Sequence, residues 1–130
     1  MRQMHKNSSL VAVVEDEESV RKAIGRLLPS AGFNVETYCC AADFLQSLHR
    51  QSPRCLVLDL RMPSMSGFEI QQALSRSGNV VPVVIITGDD SPGSRERALV
   101  QGARAYLRKP VDEAMLLDAI DSAIHSGPAL

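Results

Sequence analysis

Asp59 closes the apolar run Cys55-Leu-Val-Leu-Asp59 and is followed at once by Leu60-Arg61-Met62-Pro63. That arrangement places a carboxylate at the carboxyl end of a buried strand, with a proline-containing loop behind it. Three further apolar runs end in polar groups: the first in Glu15 and Asp16, another in Thr87, the last in Lys109-Pro110. Three acids, a hydroxyl and an amine at strand ends describe a site for metal and phosphoryl chemistry. Three converging carboxylates repel one another unless a cation or protons offset them. Hard oxygen ligands that leave places for water suit Mg²⁺. Asp59 is the best nucleophile of the set, because a carboxylate attacking phosphorus gives an acyl phosphate. Such a transfer needs in-line positioning and neutralisation of the equatorial oxygens. Lys109 and Thr87 are the groups available for it, and Gly88 beside Thr87 leaves room for entry.

Each residue also has a plain structural explanation. Glu15 to Glu18 could be acids gathered at a helix N-terminus, where the macrodipole favours them. Asp59 and Thr87 could be ordinary strand-end residues making local hydrogen bonds. Lys109 could simply precede a helix-starting proline. It is their joint appearance that points to a site. A cis peptide before Pro110 would aim the lysine inward.

The elements that must bring them together alternate along the chain. Strands are expected at 10–14, 33–38, 54–59, 81–87 and 104–108. Helices are expected at 17–28, 41–50, 67–76, between Gly93 and Gly102, and at 112–125. Pro29 is expected to end or kink the first helix near Leu28, with Gly32 as its cap. The fourth helix has only three apolar residues, bunched at its end, so a short or mobile element is expected there. Unbroken apolar strands alternating with helices give an α/β fold with a parallel sheet covered on both faces. Five units predict a flavodoxin-like (βα)5 doubly wound sheet, strand order 2-1-3-4-5, in a three-layer sandwich. That order puts a ligand site at the carboxyl ends of strands one and three.

The chain has 130 residues and a formal net charge of −1, from 14 basic and 15 acidic residues. One domain is expected over 10–125, with a flexible arm at 1–9 and a frayed tail at 126–130. The charge balance argues against nucleic-acid binding by this domain. No apolar run approaches the roughly 18 residues that span a bilayer, and no secretion signal is evident. A cytoplasmic setting and three reduced, structural cysteines follow. Cys39-Cys40 lack a nearby histidine or second cysteine pair, so a zinc site is not expected there.

Glu15-Asp16, Asp59 with Met62-Pro63 and Gly67, Thr87-Gly88, and Gly102-Ala103-x-x-Tyr106-Leu107-x-Lys109-Pro110 resemble, over nearly the whole chain, the receiver domain of two-component response regulators. The stretch Leu58 to Gly67 is most similar to receivers attached to helix-turn-helix transcription outputs. The resemblance implies that Asp59 is the phosphoacceptor for a sensor histidine kinase or phosphotransfer protein. Asp16 and Asp59 would ligate Mg²⁺ directly, Glu15 through water, and Arg61 by its backbone carbonyl. Thr87 and Lys109 would contact the phosphoryl group, and Thr87 with Tyr106 would form the switch. Arg61 and Asp89 would tune the phosphoryl lifetime. The domain would be a switch assisting its own phosphorylation and dephosphorylation rather than a multiple-turnover enzyme. It departs from the family pattern in Glu15 for the commoner Asp, in Val111 after Lys-Pro, and in its polar fourth helix.

On strand five, alternation puts Arg104, Tyr106 and Arg108 on one side of an edge strand. Arg95 and Arg97 join Arg104 and Arg108 beside Asp112, Asp118 and Asp121 in a mixed-charge face. Such a face could pair with a copy of itself on phosphorylation. A phosphorylation-independent docking module of the same fold is the alternative reading. A flavin carrier fits poorly, since Glu15 to Glu18 would repel a phosphate. Arg61 stands where an Asp-based phosphatase wants its acid/base carboxylate, and no P-loop motif is present.

Overall fold

Five parallel strands form one sheet in the order β2-β1-β3-β4-β5, in a computed structural model that describes residues 9–63, 65–88 and 91–125. In chain order the elements are β1 (Leu10–Val14), α1 (Glu18–Ser30), β2 (Asn34–Tyr38), α2 (Ala41–Ser47) and β3 (Cys55–Asp59). They continue with α3 (Gly67–Arg76), β4 (Val83–Thr87), α4 (Ser94–Val100), β5 (Ala103–Arg108) and α5 (Glu113–His125). The expected fold class and strand order are those observed. The expectations about residues 1–8 of the arm, the tail and Asp89 fall outside the described set, whereas Ser9, assigned to the arm, accepts a hydrogen bond from Asn34 N–H at 3.0 Å through its carbonyl.

The sheet divides two cores. Strand side chains alternate between faces because successive Cβ atoms point oppositely. Val11, Val13, Cys55, Val57, Val84 and Ile86 join Ile24 and Leu28 of α1 and Leu116, Ile120 and Ile124 of α5. Ala12, Val14, Leu56, Leu58, Val83 and Ile85 face the other way, onto Phe44 of α2, Ile70 and Leu74 of α3, and Ala98 of α4. β1, β3 and β4 lie inside the sheet and read as continuous apolar runs because both of their faces are buried.

Several boundaries differ from the sequence reading, for local reasons. α1 runs through Pro29 to Ser30 instead of stopping near Leu28. A proline removes one N–H and crowds the carbonyl four residues back. In the last turn that loss is small, because the end is closed otherwise: Ala31 and Phe33 N–H donate to Leu28 O, Gly32 N–H to Pro29 O, and Ser30 Oγ to Leu27 O. Gly32 takes φ +96°, the left-handed cap expected of it. Pro82 lies before β4 and serves only through its carbonyl, which accepts from Leu56 N–H. α2 is shorter than expected, giving way after Ser47 to the tight turns Leu48 N–H to Leu45 O and His49 N–H to Gln46 O.

β5 departs most. The β4–β5 register slips between Val83 and Val84, which pair with Ala103 and Ala105. The slip at Arg104 breaks the expected alternation, as one extra residue in a ladder must. Ala103 and Tyr106 therefore share the α4-side core, whereas Ala105 and Leu107 pack against the other. Tyr106 is 7% exposed, so its ring is packed in the core, the plain reading of a tyrosine at this position.

α4 buries the fewest side chains of the five helices. It has seven residues, one buried side chain (Ala98), and a left-handed Gly93 at its start with no side-chain cap. α3, by contrast, opens with a full capping box: Ser66 Oγ accepts from Glu69 N–H at 3.2 Å and Glu69 Oε1 from Ser66 N–H at 2.8 Å. Gln71 of α3 reaches across to donate from Nε2 to Ala98 O at 3.2 Å.

Candidate active site

The carboxyl ends of β1, β3, β4 and β5 meet at one rim, and the expected residues converge there. Oxygen atoms of Glu15, Asp16 and Asp59 all lie within 4.8 Å of one another. Glu15, Asp59 and Thr87 are buried, whereas Asp16 is exposed. Lys109 Nζ stands 2.8 Å from Glu15 Oε1, 3.5 Å from Glu17 Oε1 and 3.6 Å from Asp59 Oδ2. The Lys109–Pro110 peptide is cis, as anticipated, and Lys109 N–H donates to Thr87 O at 2.8 Å, tying β5's end to β4's. The lysine's nearest partner is thus Glu15, a choice among the acids that the sequence reading left open.

Asp59 is held from behind. Its Oδ1 accepts from Arg61 N–H at 3.2 Å. Gly67, the first residue of α3, comes so close that a Cβ there would meet Asp59 O and Leu60 Cδ2, each at 2.9 Å. Only glycine allows this approach, and Gly67 N–H uses it to donate to Leu60 O. Gly88 is less constrained. A Cβ there would touch Lys109 Cδ at an ordinary 3.8 Å, so the space it leaves is modest.

Electrostatics mark Asp59 as strained without a cation. Burial pushes the Asp59 carboxyl up to about 7, and the neighbouring Glu15 charge adds to the rise. The Arg61 N–H and Lys109 only partly oppose it. For Lys109 burial works against the charge, but the Glu15 bond and the surrounding carboxylates outweigh it, and its pKa is raised. Two buried acids and one exposed acid, with a single amine among them, form an oxygen-only donor set with excess negative charge. That set fits a hard divalent cation.

Sequence reasoning missed two supporting groups and one contact of a residue it had named, Arg61. Glu17 N–H donates to Glu15 Oε2 at 3.0 Å and fixes that carboxylate. Arg21 Nη1 donates to the carbonyls of Glu15 and Asp16, at 3.0 and 3.4 Å, and shapes the acidic loop. Arg61 extends its guanidinium to Ser91 Oγ at 3.0 Å, bridging the loops after β3 and β4. Arg21's place one turn into a helix after an acidic loop was a usable signal; the Arg61–Ser91 contact spans thirty residues and had none. Arg97, assigned from sequence to the mixed-charge face, instead lies over the Phe68 ring, 4.0 Å from its centroid. Arg95 stands 5.9 Å from the centroid of Tyr106.

This fold and rim define a phosphoryl-signalling class, and comparison with known proteins agrees. The family model for the response regulator receiver domain matches residues 11–121. The chain is 34% identical over 128 residues to the response regulator protein TodT of Pseudomonas putida, covering 98% of this chain and 56% of that protein. It is 40% identical over 120 residues to the transcriptional regulatory protein TdiR of Thauera aromatica, covering 91% and 52%. Among solved structures, a response regulator receiver protein from Burkholderia phymatum superposes with a TM-score of 0.80 at 40% identity, covering 95% of this chain and all of that one.

The chain belongs to the response regulator receiver family. It spans about half the length of the curated relatives it matches. No helix among the described residues is long and apolar enough to cross a membrane.

Proposed function

We propose that the chain is a Mg²⁺-dependent phosphoacceptor switch in which Asp59 receives a phosphoryl group from a sensor histidine kinase or phosphotransfer protein. One observation carries the reading: Asp59 is buried at the end of β3, within 3.6 Å of Lys109 Nζ and beside two further acids. Asp16 and Asp59 would hold Mg²⁺ directly, Glu15 through water, and Arg61 by its backbone carbonyl. When bound, the ion offsets the excess negative charge and anchors a phosphoryl oxygen.

The remaining work falls to the chain's own groups. An Asp59 oxygen attacks phosphorus, forming a P–O bond as the P–N bond of the donor phosphohistidine breaks. The electron pair of that bond stays on the imidazole. Lys109 leaves its Glu15 contact in part to meet an equatorial oxygen, and Thr87 Oγ1 supplies a hydrogen bond to another. The Arg61 N–H already on Asp59 Oδ1 orients the nucleophile.

The switch element in this reading is α4. Phosphate charge drawing Thr87 inward changes the contacts of Tyr106, which packs with Ala98 in one core. The surface of α4, β5 and α5 then pairs with a second copy, or controls an attached output, in keeping with the transcriptional regulatory role named for its relative TdiR. The chain in this reading is cytoplasmic and binds no nucleic acid itself. It assists its own phosphorylation and dephosphorylation rather than turning over an external substrate.

The test is labelling with a small-molecule phosphodonor, with and without Mg²⁺. Wild type takes up one hydroxylamine-labile acyl phosphate only with the metal, and Asp59→Asn takes up none. Phosphate persisting in that variant rejects Asp59 as acceptor. An unlabelled wild type favours the docking module that does not use phosphate.

A further inference from the structure

We infer that Cys39, Cys40 and Asp43 form a second cation site, chemically opposite to the first, which takes a soft divalent ion such as Zn²⁺. The Sγ atoms of both cysteines and a carboxylate oxygen of Asp43 lie within 4.8 Å of one another. Both cysteines are free thiols, Cys39 exposed and Cys40 partly so, so the donors can be reached from solvent. The sequence alone offered only two adjacent thiols, too few for zinc. The fold supplies the third donor for a local reason. Cys40 precedes α2 in extended conformation, φ −148° and ψ 159°, and Asp43 sits three residues on. That spacing is the one at which a capping residue and its partner face each other. Here the cap bond is not made, so the thiol and carboxylate share a side without being committed to the backbone.

Two thiolates and a carboxylate leave a fourth tetrahedral place for water, an arrangement zinc accepts. Binding releases the two thiol protons, so occupancy rises with pH. Softness separates the two sites: thiolates select zinc-like ions, whereas the oxygen-only cluster of Glu15, Asp16 and Asp59 suits magnesium. They stand on neighbouring strand ends, since Glu15 N–H donates to the carbonyl of Tyr38, the residue before Cys39, at 3.0 Å. The inference is independent of the phosphoacceptor reading.

The experiment titrates the reduced full chain with Co²⁺ in excess Mg²⁺, which occupies the oxygen cluster. It records sulfur-to-cobalt charge transfer in the near ultraviolet, then displaces the cobalt with Zn²⁺. One equivalent per chain is expected, absent in the Cys39→Ser/Cys40→Ser double variant. Asp43→Asn is expected to weaken binding at least about tenfold. Circular dichroism confirms that the variants fold, their side chains being at the surface. The proposal is overturned by no charge-transfer band in wild type, by a band surviving the double substitution, or by equal affinity in Asp43→Asn. A stoichiometry of one metal per two chains, with dimers in sedimentation, also overturns it.

Discussion

Lys109 and Glu15 form a buried ion pair, Nζ to Oε1 at 2.8 Å, and the amine lies farther from Asp59, at 3.6 Å. In the resting protein the lysine therefore holds down the charge of the acidic rim before it meets any phosphate. Removing it leaves Glu15 and Asp59 buried without their cation, and breaking a buried pair is costly. Lys109→Ala is expected to destabilise the metal-free protein by about 1–3 kcal/mol, discounted for the water that reaches the lysine. Mg²⁺ should recover most of the loss. Urea unfolding at neutral pH with and without Mg²⁺ measures both; equal losses in the two conditions would contradict the assignment.

The Asp59 carboxyl, raised from 3.8 to about 7, makes the metal-free fold pH-dependent. Between those values the folded protein keeps a proton that the unfolded chain has shed. Stability must then fall as pH rises across this window. Asp59→Asn removes the proton equilibrium and flattens the slope. It should also stabilise the metal-free protein at pH 8 by about 1–3 kcal/mol, since a buried charge is replaced by a neutral amide. Unfolding series on both proteins from pH 4 to pH 8 decide the point.

The same proton competes with the metal. A ligating carboxylate must be ionised, so Mg²⁺ affinity should drop as pH falls below about 7, by up to about tenfold per unit. Asp59→Asn should bind more weakly and lose this dependence. Isothermal titration at several pH values gives the slope, and a flat profile in wild type would remove Asp59 from the ligand set.

Gly67 presses on the backbone of Asp59. A methyl group there meets Asp59 O at 2.9 Å and Leu60 Cα at 3.0 Å, and neither can rotate away as a side-chain tip could. Gly67→Ala is expected to cost about 1–3 kcal/mol through overpacking. Its phosphodonor labelling rate should fall as well, because Asp59 is displaced. Ser66→Ala, which only breaks the capping box beside it, should cost about 1 kcal/mol and leave labelling unchanged.

Gln71 holds α4 to α3 through its bond to Ala98 O. Gln71→Met keeps the volume but leaves that carbonyl unmet, at about 1–2 kcal/mol. Because α4 buries only Ala98, amide exchange should accelerate over residues 94–100 and much less over α5. Uniform acceleration would show that α4 does not open on its own.

The strands, their order and the five chemical residues at their ends were legible from the chain. Unbroken β-branched runs can only be buried on both faces, and a doubly wound sheet forces the ends of β1 and β3 together. The convergence of Glu15, Asp16, Asp59 and Lys109, and the place of Thr87 at the end of β4, needed no more than that. What only the folded structure decided were contacts whose partners are distant in sequence or whose register is irregular. The register slip set Ala103 and Tyr106 in one core, Arg61 found Ser91 thirty residues away, and Arg97 turned onto Phe68. The preference of Lys109 for Glu15 belongs with them. Periodicity tells which face a residue takes only while the ladder is regular, and residue type tells what a group can bind but not which of several neighbours lies nearest; those choices are fixed by distances of a few ångströms, which exist only after the chain has packed.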